Sequence, residues 1–470
     1  MTPITFVAPT PWHHRLVERF DLIVLGAGSG LEVSAAAADR GMRVAVVESG
    51  PFGGTCLNRG CIPSKMLIHC ADVAEQVRRA HRFGVHARIE RIDWPFIVER
   101  VFREIEADAA AVEQGNRDNP NITVYRDRAR FVGHKELEVA GERIAAETIV
   151  IAAGTRPNVP VIEGIADVPC LTSDDALRLP TQPRRLIVVG GGFIAAELVH
   201  FFGGLGTEVV IVHRRPVLLR EEDGEVAARF TEVYRRRFEL VLNAQVARGE
   251  HRDGEVGLDV VVDGQTRKVR GDALLFATGR VPNADQLDVA KTGVETDARG
   301  YVRVDPYLET NVPGVWALGD VVGRYLLKHS ANLEAAYATW NIFHPDRKAP
   351  VDYHAMPHAV FASPQVGSVG LTEQAARERG IRYVAATYDY KDAAYGASIE
   401  DEDGFVKVLA DPETKEILGC HIIGTEAATL IQEATNAMRA RLTVDAITQS
   451  IYVHPALPEV VQRAFGALGL

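Results

Sequence analysis

The chain is expected to be α/β throughout, with two strand–turn–helix domains ahead of an α+β module, and three observations predict this. A short apolar strand, a glycine turn and an alanine-rich helix succeed one another at 21–38. The same order returns at 186–202. Beyond residue 351 the pattern changes to short apolar strands followed by two helices. Alternating strands and helices build a parallel sheet covered on its faces, whereas strands grouped ahead of helices build an α+β layer. A length of 470 residues gives chain for about two to four domains, each able to bury its own core.

In the first unit, Asp21-Leu22-Ile23-Val24-Leu25 runs into Gly26-Ala27-Gly28-Ser29-Gly30, and a helix continues through Ser34–Ala38. Glycines at such a turn let the backbone approach a pyrophosphate, which sits against the free amides and positive dipole end of the helix. The next strand, Arg43–Val47, ends on Glu48, 22 residues beyond Gly26, where an acid accepts from ribose hydroxyls. Gly26, Gly28, Gly30 and Glu48 are therefore candidate dinucleotide ligands. The third glycine of a GxGxxG pattern is replaced by Leu31, with Gly30 one position early, so helix and strand are expected to pack differently here.

Leu186-Ile187-Val188-Val189 repeats the pattern, followed by Gly190-Gly191-Gly192 and a helix through Glu197 to Phe202. Both units are thus Rossmann-like, with Gly190 and Gly192 the second set of candidate ligands. The following strand, Val209–Val212, ends on His213-Arg214-Arg215, with Arg220 further on. An acid at this place accepts from a free 2′-hydroxyl and repels a 2′-phosphate, whereas guanidiniums bind that phosphate through charge-assisted hydrogen bonds. Arg214, Arg215 and Arg220 therefore favour NADP, with NAD as the alternative.

Between the two units stands Gly53-Gly54-Thr55-Cys56-Leu57-Asn58-Arg59-Gly60-Cys61-Ile62-Pro63-Ser64-Lys65. Five residues along a regular helix mean a rise of roughly 7.5 Å and a rotation of roughly 140°, while bridged cysteines need α-carbons about 4.4 to 6.8 Å apart. A Cys56–Cys61 bridge thus demands a distorted helix, and Gly53, Gly54, Gly60 and Pro63 supply the means to bend it. The other cysteines, Cys70, Cys170 and Cys420, are scattered singly and are expected to be structural thiols.

Helical periodicity covers 66–83 and 93–116, and Ile122–Tyr125 reads as a strand. Gly154-Thr155-Arg156-Pro157 and Gly279-Arg280-Val281-Pro282 are similar strings that mark the seams of an insert. Gly314–Asp320 reads as a strand ending in an acid and is placed back in the first domain. The expected boundaries are 1–155 and 280–350 for the first domain, 156–279 for the second and 351–470 for the C-terminal module. In that module strands are expected at Ala359–Phe361, Val366–Gly370, Phe405–Leu409 and Ile417–Ile423, with helices at Ala427–Arg439 and Thr443–Gln449. Residues 1–19 carry no periodic signal and are expected to be an extension.

The apolar fraction of 47% and charged fraction of 24% are ordinary for a globular protein. A net charge of -11 without a basic run argues against a nucleic-acid partner, since phosphate binding calls for clustered positive charge. No apolar stretch reaches membrane-spanning length, and the first twenty residues, with Pro3, Pro9, Pro11, His13, His14 and Arg15, contain no leader core. No membrane association and a cytoplasmic location are expected.

The string from Gly53 to Lys65 resembles the redox-active loop of the flavin-dependent pyridine nucleotide-disulfide oxidoreductases, GGTCxNxGCxPSK, at every fixed position. From Asp21 to Glu459 the order of motifs is also that of this family. The resemblance implies FAD in the first domain, with Asp320 on the ribityl chain, and NAD(P) in the second. Gly54, Thr55, Gly154 and Gly279 join the implied cofactor ligands. It further implies that Lys65 polarises the flavin and pairs with Glu197, that Cys61 becomes the charge-transfer thiolate, and that Cys56 attacks a substrate disulfide. His454-Pro455-Ala456-Leu457-Pro458-Glu459 matches the family's HPxxxE motif, which implies that His454, oriented by Glu459, is the acid–base group. A homodimer follows, in which this histidine reaches the cysteines of the other subunit.

The last eight residues contain no cysteine pair, which sets aside mercuric reductase and the high-molecular-weight thioredoxin reductases. Tyr325-Leu326-Leu327-Lys328-His329, Asp392-Ala393-Ala394-Tyr395-Gly396 and the non-glycine at Leu31 resemble mycothione reductases, which reduce a low-molecular-weight disulfide. NAD-dependent dihydrolipoamide dehydrogenases share parts of these strings, and a reductase of a γ-glutamylcysteine disulfide would look alike. The alternative of another class is a redox-responsive flavoprotein without turnover. The joint presence of Cys56, Cys61, His454 and Glu459 speaks against it.

Overall fold

The computed structural model describes residues 17–470. Its first unit comprises the chain up to Gly54, Ala110–Thr155 and Pro282–Val351. A seven-stranded sheet runs through it in the order Ile122–Tyr125, Val44–Val47, Val17–Leu25, Glu142–Ile151, Glu136–Val139, Arg130–Gly133, with Val315–Ala317 also paired to Glu142–Ile151. Val17–Leu25 lies parallel to both neighbours, Leu22 standing opposite Val44 on one side and Thr148 on the other. Because strand side chains alternate with a period of two, a parallel sheet buried on both faces needs a continuous apolar run. Leu22, Val24, Val44 and Val46 pack with Val33 and Ala37 of helix Gly30–Ala38, and with Ala335 and Ala338 of helix Lys328–Phe343. Ile23, Leu25, Ala45 and Val47 point the other way, onto Val289, Val302 and Val321. The structure moves one boundary: strand Val17–Leu25 begins inside the expected extension. Val17, Glu18 and Arg19 pair with Arg143, Ile144 and Ala145, a register that their charged side chains concealed. The remainder of that extension, 1–16, lies outside the described residues.

The second unit comprises Thr55–Ala109, Arg156–Val281 and from Asp352 onward. Its parallel sheet has the order Glu239–Val241, Glu208–Val212, Arg185–Val189, Ala273–Phe276, Cys170–Leu171. A three-stranded antiparallel sheet, Ala244–Arg252, Glu255–Val262 and Gln265–Gly271, shares its core through Leu258 and Val260 against Ile187 and Leu274. The C-terminal module is a five-stranded antiparallel sheet in the order Pro357–Val360, Gln365–Gly370, Ile417–Gly424, Phe405–Ala410, Val384–Asp389. Helix Ala427–Arg439 covers it, burying Leu430, Ile431, Ala434 and Ala437 among Val369, Cys420 and Ile422.

Residues 55–109 fall in the second unit, whereas the sequence pattern grouped them with 1–155. The reason is helix packing. Helix Cys61–Arg79 presents Leu67, Ile68, Ala71 and Ala74 to the same core as Leu198, Val199, Phe201 and Phe202 of helix Phe193–Gly204. A β-carbon on Gly204 would meet the Ala71 β-carbon at 2.7 Å, so the glycine lets the two helices approach closely. Trp94 stacks on Phe202 and donates its indole hydrogen to the Leu179 carbonyl (2.7 Å), tying the next helix to the same place. Among the described residues no helix is long and apolar enough to cross a membrane.

Candidate active site

The redox loop bends where the spacing demands it. Helix Gly54–Arg59 stops, Gly60 takes φ −140° and ψ −114°, and a new helix starts at Cys61. A β-carbon on Gly60 would lie 2.9 Å from the Thr55 carbonyl oxygen, so only glycine tolerates this break. The break returns Cys61 to hydrogen-bonding distance of Cys56. The hydrogen bond from Cys56 lowers the Cys61 pKa to about 7, and the Lys65 ammonium one turn along the helix acts in the same direction, against burial and the Glu197 carboxylate.

Lys65 and Glu197 meet although 132 residues separate them: the ammonium lies 2.9 and 2.8 Å from the two carboxylate oxygens. Glu197 is buried in helix Phe193–Gly204, and its Oε1 also accepts the Phe361 backbone N–H at 3.0 Å. The Lys65 ammonium stands 4.8 Å from the centre of the Phe361 ring. Removing one member of such a pair strands a charge in a poorly solvated place, which costs about 3 to 5 kcal/mol when burial is complete. Lys65 is one-third exposed and Phe361 still serves Glu197, so Lys65→Met is expected to lower stability by about 2 kcal/mol. Urea unfolding checks this, with Lys65→Met/Glu197→Leu recovering part of the loss.

At the C-terminus, His454 Nδ1 lies 3.0 and 3.2 Å from the two oxygens of Glu459. The His454 hydrogen bond, joined by the Ala456 N–H at 3.1 Å, holds the Glu459 carboxyl below its ordinary range. An ionised carboxylate on Nδ1 fixes that nitrogen as the donor and leaves Nε2 to exchange a proton.

Each glycine turn lies at the end of a parallel strand. In the first, Gly26 has φ +106° and a β-carbon there would run into the Ala152 carbonyl, while one on Gly30 would meet Val24 and Ala152 at 2.8 and 2.9 Å. Gly30 thus carries the close helix–strand approach, which explains why Leu31 is tolerated one position on. The Glu48 carboxylate accepts the Ala27 N–H (2.9 Å) and the Gly50 N–H (2.7 Å), at the edge of the same turn. Asp320 accepts the Thr155 hydroxyl at 3.1 Å, beside Gly154 with its φ of +64°. Lys328 Nζ donates to Ser29 Oγ (2.7 Å), which donates to Asn332 Oδ1 (3.0 Å). Lys328 and Asn332 were missed as contributors to this turn. The signal for Lys328 lay in the Tyr325–His329 string, which the sequence showed as unusual without showing what it touches; Asn332 lies just beyond it.

In the second turn Gly190 has φ +145° against the Ala277 carbonyl, and Gly192 caps helix Phe193–Gly204 with open space where its β-carbon would be. Arg214, Arg215 and Arg220 are exposed just past strand Glu208–Val212, and Arg220 Nε pairs with Glu221 at 2.8 Å. An exposed pair of this kind is worth little and gives way readily to a phosphate. Gly279 lies in the second unit, where its carbonyl accepts the Asn158 N–H at 2.9 Å. Both turns have the cradle a dinucleotide needs: close backbone, a helix N-terminus and a polar group at the next strand end.

Two glycine cradles and a bent thiol pair define a nucleotide-dependent disulfide oxidoreductase. Residues 20–337 match the family described as pyridine nucleotide-disulphide oxidoreductase, and 356–465 match its dimerisation domain. The mycothione reductase of Mycobacterium tuberculosis is 42% identical over 466 residues, covering 97% of this chain and 100% of that one. The dihydrolipoyl dehydrogenase of Chlamydia trachomatis is 34% identical, covering 94% and 95%, and the glutathione reductase of Burkholderia cepacia is 34% identical, covering 94% and 97%. Among solved structures, the HOCl-induced flavoprotein disulfide reductase RclA from Escherichia coli superimposes with a TM-score of 0.85 at 27% identity, over 95% of this chain and 99% of that one. The chain therefore belongs to the pyridine nucleotide-disulphide oxidoreductases, enzymes that use FAD and NAD(P) for disulfide chemistry. The alternative of a flavoprotein without turnover falls with this result.

Proposed function

We propose that the protein reduces a low-molecular-weight disulfide of the mycothione type with NADPH. The observation that carries this reading is full-length similarity at 42% identity to a mycothione reductase, against 34% for the dihydrolipoyl dehydrogenase and glutathione reductase relatives. The Tyr325–His329 and Asp392–Gly396 strings support it.

The functional division proposed is an FAD domain at 1–155 and 280–350, an NADP domain at 156–279 and a dimerisation domain at 351–470. Gly26, Gly28, Gly30, Glu48, Gly54, Thr55, Gly154 and Asp320 are the proposed contributors to the flavin site, with Gly190, Gly192 and Gly279 for the nicotinamide nucleotide. Bound at the flavin site, FAD would supply two-electron transfer between NADPH and the Cys56–Cys61 pair. The cysteines then act as a dithiol. Cys56, as thiolate, attacks one sulfur of the substrate disulfide; the S–S bond breaks, and the leaving thiolate takes a proton from His454 Nε2. Cys61, as thiolate beside the Lys65 ammonium, attacks Cys56; the mixed disulfide breaks, the second substrate thiolate takes a proton from solvent, and the Cys56–Cys61 bond is restored. Lys65 stays paired with Glu197 throughout and keeps a positive charge beside Cys61. His454 serves the cysteines of the other protomer, and a cytoplasmic location follows from the demand for NADPH.

The nucleotide half of the proposal is tested by kcat/KM. A charge-assisted hydrogen bond contributes roughly 1.5 to 3 kcal/mol, so Arg214→Ala/Arg220→Ala should cost about 10² or more in preference for NADPH over NADH. Mycothione, bis-γ-glutamylcystine and lipoamide are compared as acceptors in the same assay. Equal or better use of NADH by the wild type, with lipoamide the best acceptor, would replace this reading by an NAD-dependent dihydrolipoamide dehydrogenase.

A further inference from the structure

His454 stands in a segment, Ser450 to Pro455, that belongs to no helix or strand. Its side chains alternate: Ile451 and Val453 are 102% and 79% exposed, while Tyr452 between them is half-buried against the core of the C-terminal module. An irregular segment holds a reacting group only as precisely as its anchors allow. Three anchors are present. Gln462 Nε2 reaches the Thr448 and Ser450 carbonyls at 3.4 and 3.3 Å. Glu459 takes the His454 ring and the Ala456 N–H. The third is the Tyr452 hydroxyl, which donates to Glu433 on helix Ala427–Arg439.

Glu433 is out of place by packing logic alone. Its helix turns Leu430, Ile431, Ala434 and Ala437 into the core, and burial pushes the Glu433 pKa up to about 7. The titratable groups facing it are the Tyr452 phenol and the fully buried Cys420 thiol of strand Ile417–Gly424. An apolar side chain would fill the position at less cost. What the carboxyl provides is an acceptor for Tyr452, which lies two residues from His454 along the chain.

We propose that Glu433 is a positioning residue for His454, acting through the phenol of Tyr452. The proposal rests on the reading of His454 as the proton donor. With the carboxyl ionised, the Tyr452 bond is charge-assisted and the segment is held firmly; with it protonated, the bond weakens and His454 gains freedom. A misplacement of about 1 Å in a reacting group costs on the order of 10² in rate, and a partial loosening correspondingly less.

The test is stopped-flow measurement of the two half-reactions of the FAD-loaded dimer in Glu433→Leu, Glu433→Gln and Tyr452→Phe, with His454→Ala as reference. Glu433→Leu and Tyr452→Phe are expected to slow the thiol–disulfide half-reaction by roughly tenfold, to leave flavin reduction by NADPH at the wild-type rate, and to be non-additive when combined. Glu433→Gln, which keeps a carbonyl acceptor, should recover part of the rate. The ratio of wild-type to Glu433→Gln rates should rise severalfold as pH rises through about 7, a change that a merely structural role would not produce. Hydrogen–deuterium exchange of the peptide around 449–457 should quicken in Glu433→Leu and Tyr452→Phe and nowhere else. Wild-type half-reaction rates in Tyr452→Phe, additive losses, or a pH-independent ratio would overturn the proposal. A wild-type rate in His454→Ala would overturn the underlying reading of His454 instead, and this proposal with it.

Discussion

Substituting either redox cysteine is expected to abolish disulfide turnover, and the two substitutions are expected to differ in the chemistry that remains. Cys56→Ala leaves Cys61 without the hydrogen bond that contributes most to its acidity. The Cys61 midpoint should climb from about 7 toward the ordinary thiol value of about 8.5. Lys65 still stands beside it, so the climb should stop short. Alkylation of the reduced protein by iodoacetamide across pH 5.5 to 9.5, read by mass spectrometry, reports this directly, since only the thiolate reacts. Cys61→Ala should be equally inactive, while NADPH oxidation by a quinone acceptor, which needs no thiol, persists in both. A Cys61 midpoint unmoved by Cys56→Ala would assign its acidity to Lys65, and Lys65→Met would then have to raise it.

What the sequence disclosed about this site follows from where the determinants lie. The glycine turns and the break at Gly60 are local: each needs residues within a few positions of one another, and the backbone that joins them is dictated by glycine or by a strand end; the His454–Glu459 pair is also close in sequence, but its role was expected from the family resemblance. The Lys65–Glu197 pair spans 132 positions, and it was expected only because the motif order resembled a known family. Where neither locality nor resemblance helped, the contacts stayed hidden. Ser29 and Asn332 are 303 residues apart. Lys407, buried within strand Phe405–Ala410, is held by Asp223, Glu225 and Glu373, the nearest of them 34 positions away, and nothing in its strand marks it as ionic.

Whole strands were missed for a related reason. Gln265–Gly271 is mostly polar, and only Val269 and Gly271 are buried, so a pattern search reads it as loop; it is a strand because Glu255–Val262 offers a ladder with Val256 opposite Gly271. Val384–Asp389, an edge strand with Ala, Thr and Tyr on its faces, lacked the apolar alternation that revealed Phe405–Ala410 beside it. Strand pairing supplies such segments with order that their own side chains do not announce.

His454→Ala is expected to slow the thiol–disulfide half-reaction by on the order of 10² to 10⁴, the usual scale for a positioned proton donor, while reduction of the flavin by NADPH stays near the wild-type rate. Glu459→Gln should produce a smaller loss, because a glutamine oxygen still accepts from Nδ1 but no longer offers a charge to the imidazolium formed during the reaction. The Glu459 carboxyl is held below its ordinary range chiefly by the His454 hydrogen bond, so it is ionised through the neutral range. Its depressed value has a sign for stability as well: the His454–Glu459 contribution is present above the unfolded carboxylate range and is lost as pH falls through the folded value. The dimer gives the decisive comparison. His454→Ala is strongly slowed and Cys56→Ser inactive, each for a different reason, and a heterodimer of the two contains one site with both an intact histidine and an intact cysteine pair if the histidine serves the other protomer. Mixed subunits, with heterodimer formation verified by mass, should therefore recover part of the wild-type activity. Verified heterodimers without activity would place His454 with the cysteines of its own chain, and each protomer would then hold a complete site.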